Sequence, residues 1–292
     1  MSLRYLLLML VAWVSISSSS VLVLLSGSTA IVCAFWRVFI TTLIIGTYAI
    51  VNQVLGHGDF KGLRLSTFIT AFTAGVLLGI HFLVWMESLF LIPVALSTTV
   101  VVTYPLINAL AEGIYYRVIR RGEVAGLILA FIGVFIATRP QTDAHFVGAG
   151  VTLATIGALC AAGYFHLGRV SRSRGASLTT YTTTAYAAAS TTIGLYSLFT
   201  KTSLLPTTTS SWIYILLLAL IPMLGGHTTM NYLLKRMKSY VVTSIALGEP
   251  PGATLLASAL LKQPIHVETV LGMMLALSGV AMTVYSSLRA SR

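Results

Sequence analysis

Charge is scarce in this sequence, and negative charge is the scarcest. Of its 292 residues 9% are charged, and only 7 are Asp or Glu. A soluble domain carries about 25% charged residues, so this composition excludes a water-soluble fold. The two cysteines, Cys33 and Cys160, lie in apolar stretches and predict neither a disulfide nor a metal site. No Walker-type phosphate loop is present, so neither an ATP-hydrolysing module nor any other cofactor is predicted.

The sequence consists largely of long apolar runs. The chain is 57% hydrophobic, with a mean hydropathy of +0.91. A membrane-spanning helix needs about 20 apolar residues. Runs of this kind are found at residues 3–25, 28–52, 67–89, 92–116, 121–138, 147–170, 177–200, 211–234, 239–262 and 266–288. The sequence therefore predicts an all-α membrane protein with ten transmembrane helices.

The net charge of +11 is a signal of membrane topology and does not predict a nucleic-acid partner, because the basic residues are unevenly distributed between the two sides of the membrane. With both termini inside, fourteen of the 18 Lys and Arg residues fall on the inner side. The outer loops hold only Arg139, Lys201 and Lys262, and Arg37 lies within a span. By the positive-inside rule we expect a multi-pass protein of the cell membrane with both termini cytoplasmic.

The sequence also repeats itself with an offset of 146 residues. The offset pairs Gly79 with Gly225, His81 with His227, Pro105 with Pro251, Gly126 with Gly272, and Gly133 with Gly279. These matches predict two repeats, residues 1–138 and 147–288, joined by a linker at 139–145. Because each repeat holds five helices, the second starts on the opposite side of the membrane. The halves are then related by a two-fold axis in the membrane plane, as in many secondary transporters.

Two ionisable residues near mid-membrane are the first candidates for function, since buried charge in a bilayer is costly. Glu249 is followed by Pro250 and Pro251, which predict an interrupted helix beside a cavity. Its carboxylate is suited to bind an amine or to carry a proton. Arg37 is suited to hold a carboxylate or phosphate, or else to be a structural counter-ion of Glu249.

Two polar stripes form the second group of candidates. His81 and Trp85 are four residues apart on the third predicted helix, and the repeat places His227 and Asn231 equivalently on the eighth. Both stripes are expected to face the pseudo-symmetry axis, where they line a cavity or form structural hydrogen bonds. One pair of histidines without further ligands predicts no metal site. The other ionisable residues within the spans lie near helix ends and are weaker candidates: Glu87, Glu112 and His166.

Small residues are dense in the first and seventh predicted helices, at 15–20 and 179–189. Tight helix packing is the favoured interpretation, because small side chains let helix backbones approach in lipid. A hydroxyl-lined pathway is the alternative.

Several of these segments carry a resemblance to a known family. Residues 79–85 (GIHFLVW), 100–105 (VVVTYP), 226–231 (GHTTMN) and 248–253 (GEPPGA) resemble EamA domains of the drug/metabolite transporter superfamily. The Glu-Pro element and the Arg of helix 2 are typical of that family and correspond here to Glu249-Pro250 and Arg37. The family often ends helices 4 and 9 with Gly-Glu, whereas this chain has Tyr116-Arg117 and Lys262-Gln263.

The resemblance implies a central cavity lined mainly by helices 3, 4, 8 and 9 with parts of helices 1, 2, 6 and 7, and with helices 5 and 10 at the periphery. We therefore expect a secondary transporter, and specifically an exporter, of small polar or amphipathic metabolites such as amino acids or organic cations. It would work by alternating access, with protons or a counter-substrate as possible coupling partners. An intramembrane transferase, for which the chain lacks paired carboxylates, and a channel are the alternatives. The predicted substrate-binding or coupling residues are Arg37, His81, Trp85, Tyr104, His227, Asn231 and Glu249.

Overall fold

The computed structural model describes residues 3–56, 64–115, 120–137 and 144–290, and these are helices and short connections without any strand. The α-helices are α1 (Leu3–Ser17), α2 (Ser19–Leu25), α3 (Ala30–Val54), α4 (Leu65–Ser88), α5 (Val94–Val101), α6 (Tyr104–Tyr115), α7 (Arg121–Ala137), α8 (Ala144–Ser173), α9 (Leu178–Thr200), α10 (Ser211–Leu218), α11 (Thr229–Leu233), α12 (Ser239–Thr243), α13 (Glu249–Leu261) and α14 (Val267–Ala290). A π-helix, Ala219–Thr228, joins α10 to α11, and a 3-10 helix, Ser244–Gly248, joins α12 to α13. Residues 139–143 of the predicted linker and the Tyr116-Arg117 pair lie outside the described residues.

Seven helical segments of the described ranges are long and apolar enough to cross a membrane. They are Leu3–Leu25, Ala30–Val54, Leu65–Ser88, Val94–Ala111, Phe146–Ser173, Ser211–Leu233 and Val267–Ser286. Each coincides within a few residues with a predicted span, so the chain is a multi-pass membrane protein. The three other predicted spans are also helical. Of these, α7 has 17 residues, α9 is rich in threonine, and the third is divided into α12, the 3-10 helix and α13.

Several of the crossing segments are interrupted part-way along. The first changes from α1 to α2 at Ser18, and the fourth changes from α5 to α6 between Val101 and Tyr104. The sequence predicted that Pro250 and Pro251 break the ninth helix, but the irregular turn precedes them. Both prolines lie in the first turn of α13, which begins at Glu249. Proline is tolerated there because the first backbone N–H groups of a helix have no intrahelical acceptor.

The glycines of α7 and α14 bring these two helices into backbone contact. A Cβ atom built on Gly126 would lie 2.5 Å from the carbonyl oxygen of Gly279, and one on Gly279 would lie 2.5 Å from that of Gly126. Gly133 and Gly272 form a second such pair, at 2.6 and 2.5 Å. The residue number of the contact in α14 decreases as the residue number in α7 increases, so the two helices are antiparallel. Neither contributes to the cavity described below, as the peripheral positions implied by the resemblance require.

We expect Gly133→Ala to destabilise the protein, although alanine is ordinarily the better helix former. The added methyl group would meet the backbone of Gly272, so the two helices must separate, at a cost of about 1–3 kcal/mol. Gly148→Ala in α8 is the matched control, because a Cβ there meets nothing within 4 Å. Thermal unfolding in detergent measures both. A Gly133→Ala protein as stable as the control would contradict the close contact.

Small residues serve the same purpose around α4. A Cβ on Gly75 would lie 2.7 Å from the Cβ of Ala188, and one on Gly79 would lie 3.0 Å from the carbonyl oxygen of Ala189, both on α9. On the other side of the fold, a Cβ on Gly252 would lie 2.7 Å from Ser17 Oγ. The small residues of α1 and α9 therefore permit close helix packing, as the favoured interpretation of the sequence predicted.

Candidate functional site

A small closed cavity lies in the interior where the interrupted helices meet. Its lining residues come from both halves of the chain: Ile16, Ser19, His81, Trp85, Val101, Tyr104, Phe165, His227 and Glu249. Its volume is ≈ 20 Å³, which is about the space that one water molecule occupies. A ligand larger than a water molecule therefore requires the surrounding helices to move apart.

The helix interruptions converge on this cavity. Ser19 is the first residue of α2, Tyr104 of α6 and Glu249 of α13, and all three line it. Glu249 is buried, with 6% of its surface exposed, at the first residue of α13.

The two repeat-related histidines lie beside each other in the cavity wall. The ring centroids of His81 and His227 are 6.5 Å apart. His81 Nδ1 is 2.9 Å from the carbonyl oxygen of Gly157, and its ring stacks on Trp85 with a centroid distance of 5.7 Å. His227 Nδ1 and Trp85 Nε1 are buried without a hydrogen-bond partner in the described part of the protein. Neither histidine faces the lipid, and both retain polar capacity directed to the interior.

Aromatic rings form most of the remaining wall. The ring of Phe165 stacks on His227 with centroids 5.9 Å apart, and on Tyr104 with centroids 5.6 Å apart. Phe82 meets His227 edge to face at 5.2 Å. Aromatic rings from several helices thus pack against one another around the cavity.

Arg37 lies immediately behind this wall and is fully buried. Its guanidinium carbon is 4.1 Å from the ring centroid of Phe82, and its Nη1 donates a hydrogen bond of 3.0 Å to Ser19 Oγ. Its Nε and Nη2 have no acceptor among the described residues. Arg37 does not line the cavity itself but contacts it through Ser19, which does.

Arg37 and Glu249 do not form a direct ion pair in this conformation. No guanidinium nitrogen lies within hydrogen-bonding distance of the carboxylate, and two of the three nitrogens have no partner in the described protein. A guanidinium and a carboxyl group therefore lie in one interior region, with no direct hydrogen bond between them in the described structure.

Asn231 is the one predicted site residue that is directed away from the cavity. Its Nδ2 donates hydrogen bonds to the hydroxyl groups of Tyr164 and Tyr186, at 2.5 and 3.1 Å. The Tyr186 hydroxyl is also 3.0 Å from Thr228 Oγ1, next to His227. Asn231 is completely buried and is absent from the cavity lining; of the two roles expected for its stripe, the contacts of Asn231 are structural hydrogen bonds.

Sequence reasoning did not name four residues that line the cavity, nor one that packs beside it: Ile16, Ser19, Val101 and Phe165, and Phe82. A signal was available for Ser19, because residues 15–20 were open to interpretation as a hydroxyl-lined pathway. Phe82 follows His81 directly and carries no such signal, since a phenylalanine in an apolar helix is ordinarily a packing residue.

Comparison with known proteins identifies the second half of the chain. Residues 148–285 match the EamA-like transporter family. Of the solved structures, 26 chains match significantly, and one crystal structure superposes with a TM-score of 0.68 at 17% sequence identity. It covers 97% of this chain and 98% of its own, so the fold extends over the whole length. No protein with curated annotation matches the sequence significantly.

Proposed function

We propose that the protein is a secondary transporter, because residues 148–285 match the EamA-like transporter family, part of the drug/metabolite transporter superfamily. Its substrates are small polar or amphipathic metabolites, with amino acids and organic cations as the favoured classes. The small cavity between the two halves is the substrate site of an alternating-access cycle. Opening to one side at a time moves the substrate, and the direction is export.

The observation that carries this proposal is the pair of unlike charges that do not bind each other. Arg37 keeps two nitrogens without an acceptor in the described protein, and Glu249 lines the cavity. A guanidinium fork matches a carboxylate, and a carboxylate matches an ammonium group. A zwitterion such as an amino acid supplies both partners at once. An organic cation would use Glu249 together with the aromatic side chains that line the cavity.

The contacts between α7 and α14 support the proposed inverted repeat of residues 1–138 and 147–288. The offset of 146 makes Gly126 equivalent to Gly272 and Gly133 equivalent to Gly279. The observed contacts, Gly126 with Gly279 and Gly133 with Gly272, exchange under that equivalence, as contacts across a two-fold axis must. Equivalent helices that run antiparallel require the axis to be perpendicular to them, in the membrane plane. The neighbouring rings of His81 and His227 fit the same axis.

An inverted repeat of five helices requires α9 to cross the membrane, although its threonines lower its hydropathy. We therefore expect Arg174 and Ser203, which are exposed on either side of α9, to lie on opposite faces of the membrane. Each is changed to cysteine in a chain whose Cys33 and Cys160 are replaced by alanine. A membrane-impermeant maleimide should label Ser203→Cys from outside and Arg174→Cys only from the cytoplasmic side. Labelling of both from one side would refute the ten-helix topology and the cytoplasmic termini.

The transport activity is tested with the purified protein in proteoliposomes. Labelled amino acids and organic cations are offered singly, with and without a pH gradient and with unlabelled substrate inside. Saturable flux that is accelerated by internal substrate is expected of an alternating-access carrier. Flux that does not saturate and shows no exchange would identify a channel, and the absence of flux for every zwitterion and cation offered would reject the proposed substrate classes.

A further inference from the structure

Two arginines converge on one tyrosine at the end of the protein where α1 begins. Arg4 Nη2 and Arg236 Nη1 donate hydrogen bonds of 3.1 and 2.9 Å to the hydroxyl group of Tyr232. The guanidinium carbon of Arg236 also lies 5.8 Å from the ring centroid of Tyr5. Both arginines are exposed, and neither has a carboxylate partner within the described ranges. We call Arg4, Arg236 and Tyr232 the guanidinium cluster.

The surroundings of this cluster add positive charge without neutralising it. Arg169 Nη1 donates to the carbonyl oxygen of Leu234, and Arg172 Nε donates to that of Asn231. Lys235 is exposed beside Arg236. Carbonyl oxygens accept hydrogen bonds but carry no net charge, so the region remains strongly cationic. The positive-inside rule accounts for basic residues at this end, but it does not require two guanidinium groups to share one phenol.

An apolar groove continues from the cluster along α1. It lies between α1 and the 3-10 helix, has a volume of ≈ 400 Å³, and is lined by Met9, Leu10, Trp13, Ser244, Ile245 and Gly248. Tyr5, Met9 and Trp13 are spaced by four residues and therefore share one face of α1. The groove thus extends about 12 Å into the membrane from the ring that Arg236 covers. Leu10 and Trp13 are 49% and 38% exposed, so the groove faces the bilayer.

We propose that the guanidinium cluster and this groove together bind one anionic phospholipid of the adjacent leaflet. The lipid phosphate accepts hydrogen bonds from Arg4 and Arg236, and an acyl chain lies in the groove against Met9 and Trp13. Guanidinium groups pair with phosphate through two parallel hydrogen bonds. A zwitterionic headgroup would bring its ammonium group to a region where the described residues offer no carboxylate. A soluble phosphate would leave the groove unused.

The test measures lipid binding to the intact protein by native mass spectrometry, with phosphatidylglycerol, phosphatidylcholine of the same acyl chains, and inorganic phosphate as probes. We expect the Kd for phosphatidylglycerol to be at least about tenfold lower than that for phosphatidylcholine. A basic residue near an anionic lipid contributes about fivefold in affinity, so Arg4→Gln with Arg236→Gln should remove this preference. Arg174→Gln is the matched control, an exposed arginine outside the cluster, and should retain it.

A second variant tests the groove without altering any charge. Leu10→Trp fills the groove from an exposed position and should weaken both lipids while leaving the thermal stability of the lipid-free protein unchanged. Equal binding of the two lipids by the wild-type protein would overturn the proposal. Displacement of phosphatidylglycerol by inorganic phosphate would identify a free-anion site instead. An equal loss of preference in Arg174→Gln would reduce the effect to general surface charge and would also overturn it.

Discussion

A Glu249→Gln protein is expected to fold normally and to lose transport by at least about 30-fold. The carboxylate lines the cavity, is 6% exposed, and has no ion-pair partner in the described structure, so its charge is available to the substrate or to a proton. Glutamine keeps the size and shape of the side chain and removes the charge. Truncating one partner of a buried charge pair costs about 2–5 kcal/mol, which sets the expected loss.

The control for this variant is Glu268→Gln, which removes an exposed carboxylate in the first turn of α14. Initial transport rates are measured in proteoliposomes across a range of pH values, and thermal unfolding tests whether the variants fold. These rates distinguish substrate binding by Glu249 from proton coupling. Substrate binding by Glu249 predicts a loss at every pH, whereas proton coupling predicts loss of the pH dependence. Wild-type transport by well-folded Glu249→Gln would remove the carboxylate from the mechanism and shift attention to the histidine pair.

The positions of the crossing helices could be predicted because each long apolar run carries its own signal. Seven predicted spans coincide with apolar helices of sufficient length. The polar segments that complete the fold carry a weaker signal. The many threonines of α9 lower its hydropathy, yet its alanines pack against Gly75 and Gly79 of α4. Its burial depends on neighbours that are distant in sequence.

The repeat placed His81 and His227 at equivalent positions, and the structure brings the centroids of their rings to 6.5 Å. It also marked the position of Asn231, without indicating which groups its side chain binds. Asn231 stands where the first half has Trp85, but it is held by the hydroxyl groups of Tyr164 and Tyr186. A repeat predicts which positions are equivalent in space. It cannot predict which way a polar side chain turns when tyrosines from other helices compete for it.

The sequence also could not predict the exact turn at which a helix is interrupted. The prolines after Glu249 predicted a break, but a proline is equally compatible with the first turn of a new helix. The structure adopts this second arrangement, and the irregular turn is the 3-10 helix that ends at Gly248. Trp13 of α1 packs closely on Gly248. The irregular turn therefore has a tertiary contact that the local sequence does not reveal.

Arg37→Met is expected to remove transport of substrates that carry a carboxylate and, at the same time, to stabilise the protein. In the described structure the guanidinium has one hydrogen bond, to Ser19, and the ring face of Phe82, while Nε and Nη2 have no acceptor. Burial of a guanidinium without an ion-pair partner costs desolvation free energy, so an apolar methionine at this position is expected to raise the free energy of unfolding. Since a buried charge within a membrane costs free energy, we expect the Arg37 guanidinium to be retained because it binds a ligand.

The measurements are thermal unfolding and transport for Arg37→Met, Glu249→Gln and the double variant. Arg37→Lys is the control that keeps the charge but loses the planar fork, and it should transport less than the wild type and more than Arg37→Met. If the two residues were instead a structural pair, each single variant would lose about 3–5 kcal/mol and the double variant would regain it. The absence of a direct ion pair argues against that pattern. Without that ion pair, we expect Arg37→Met to have a higher thermal stability and to lose transport, because the Arg37 charge binds the substrate.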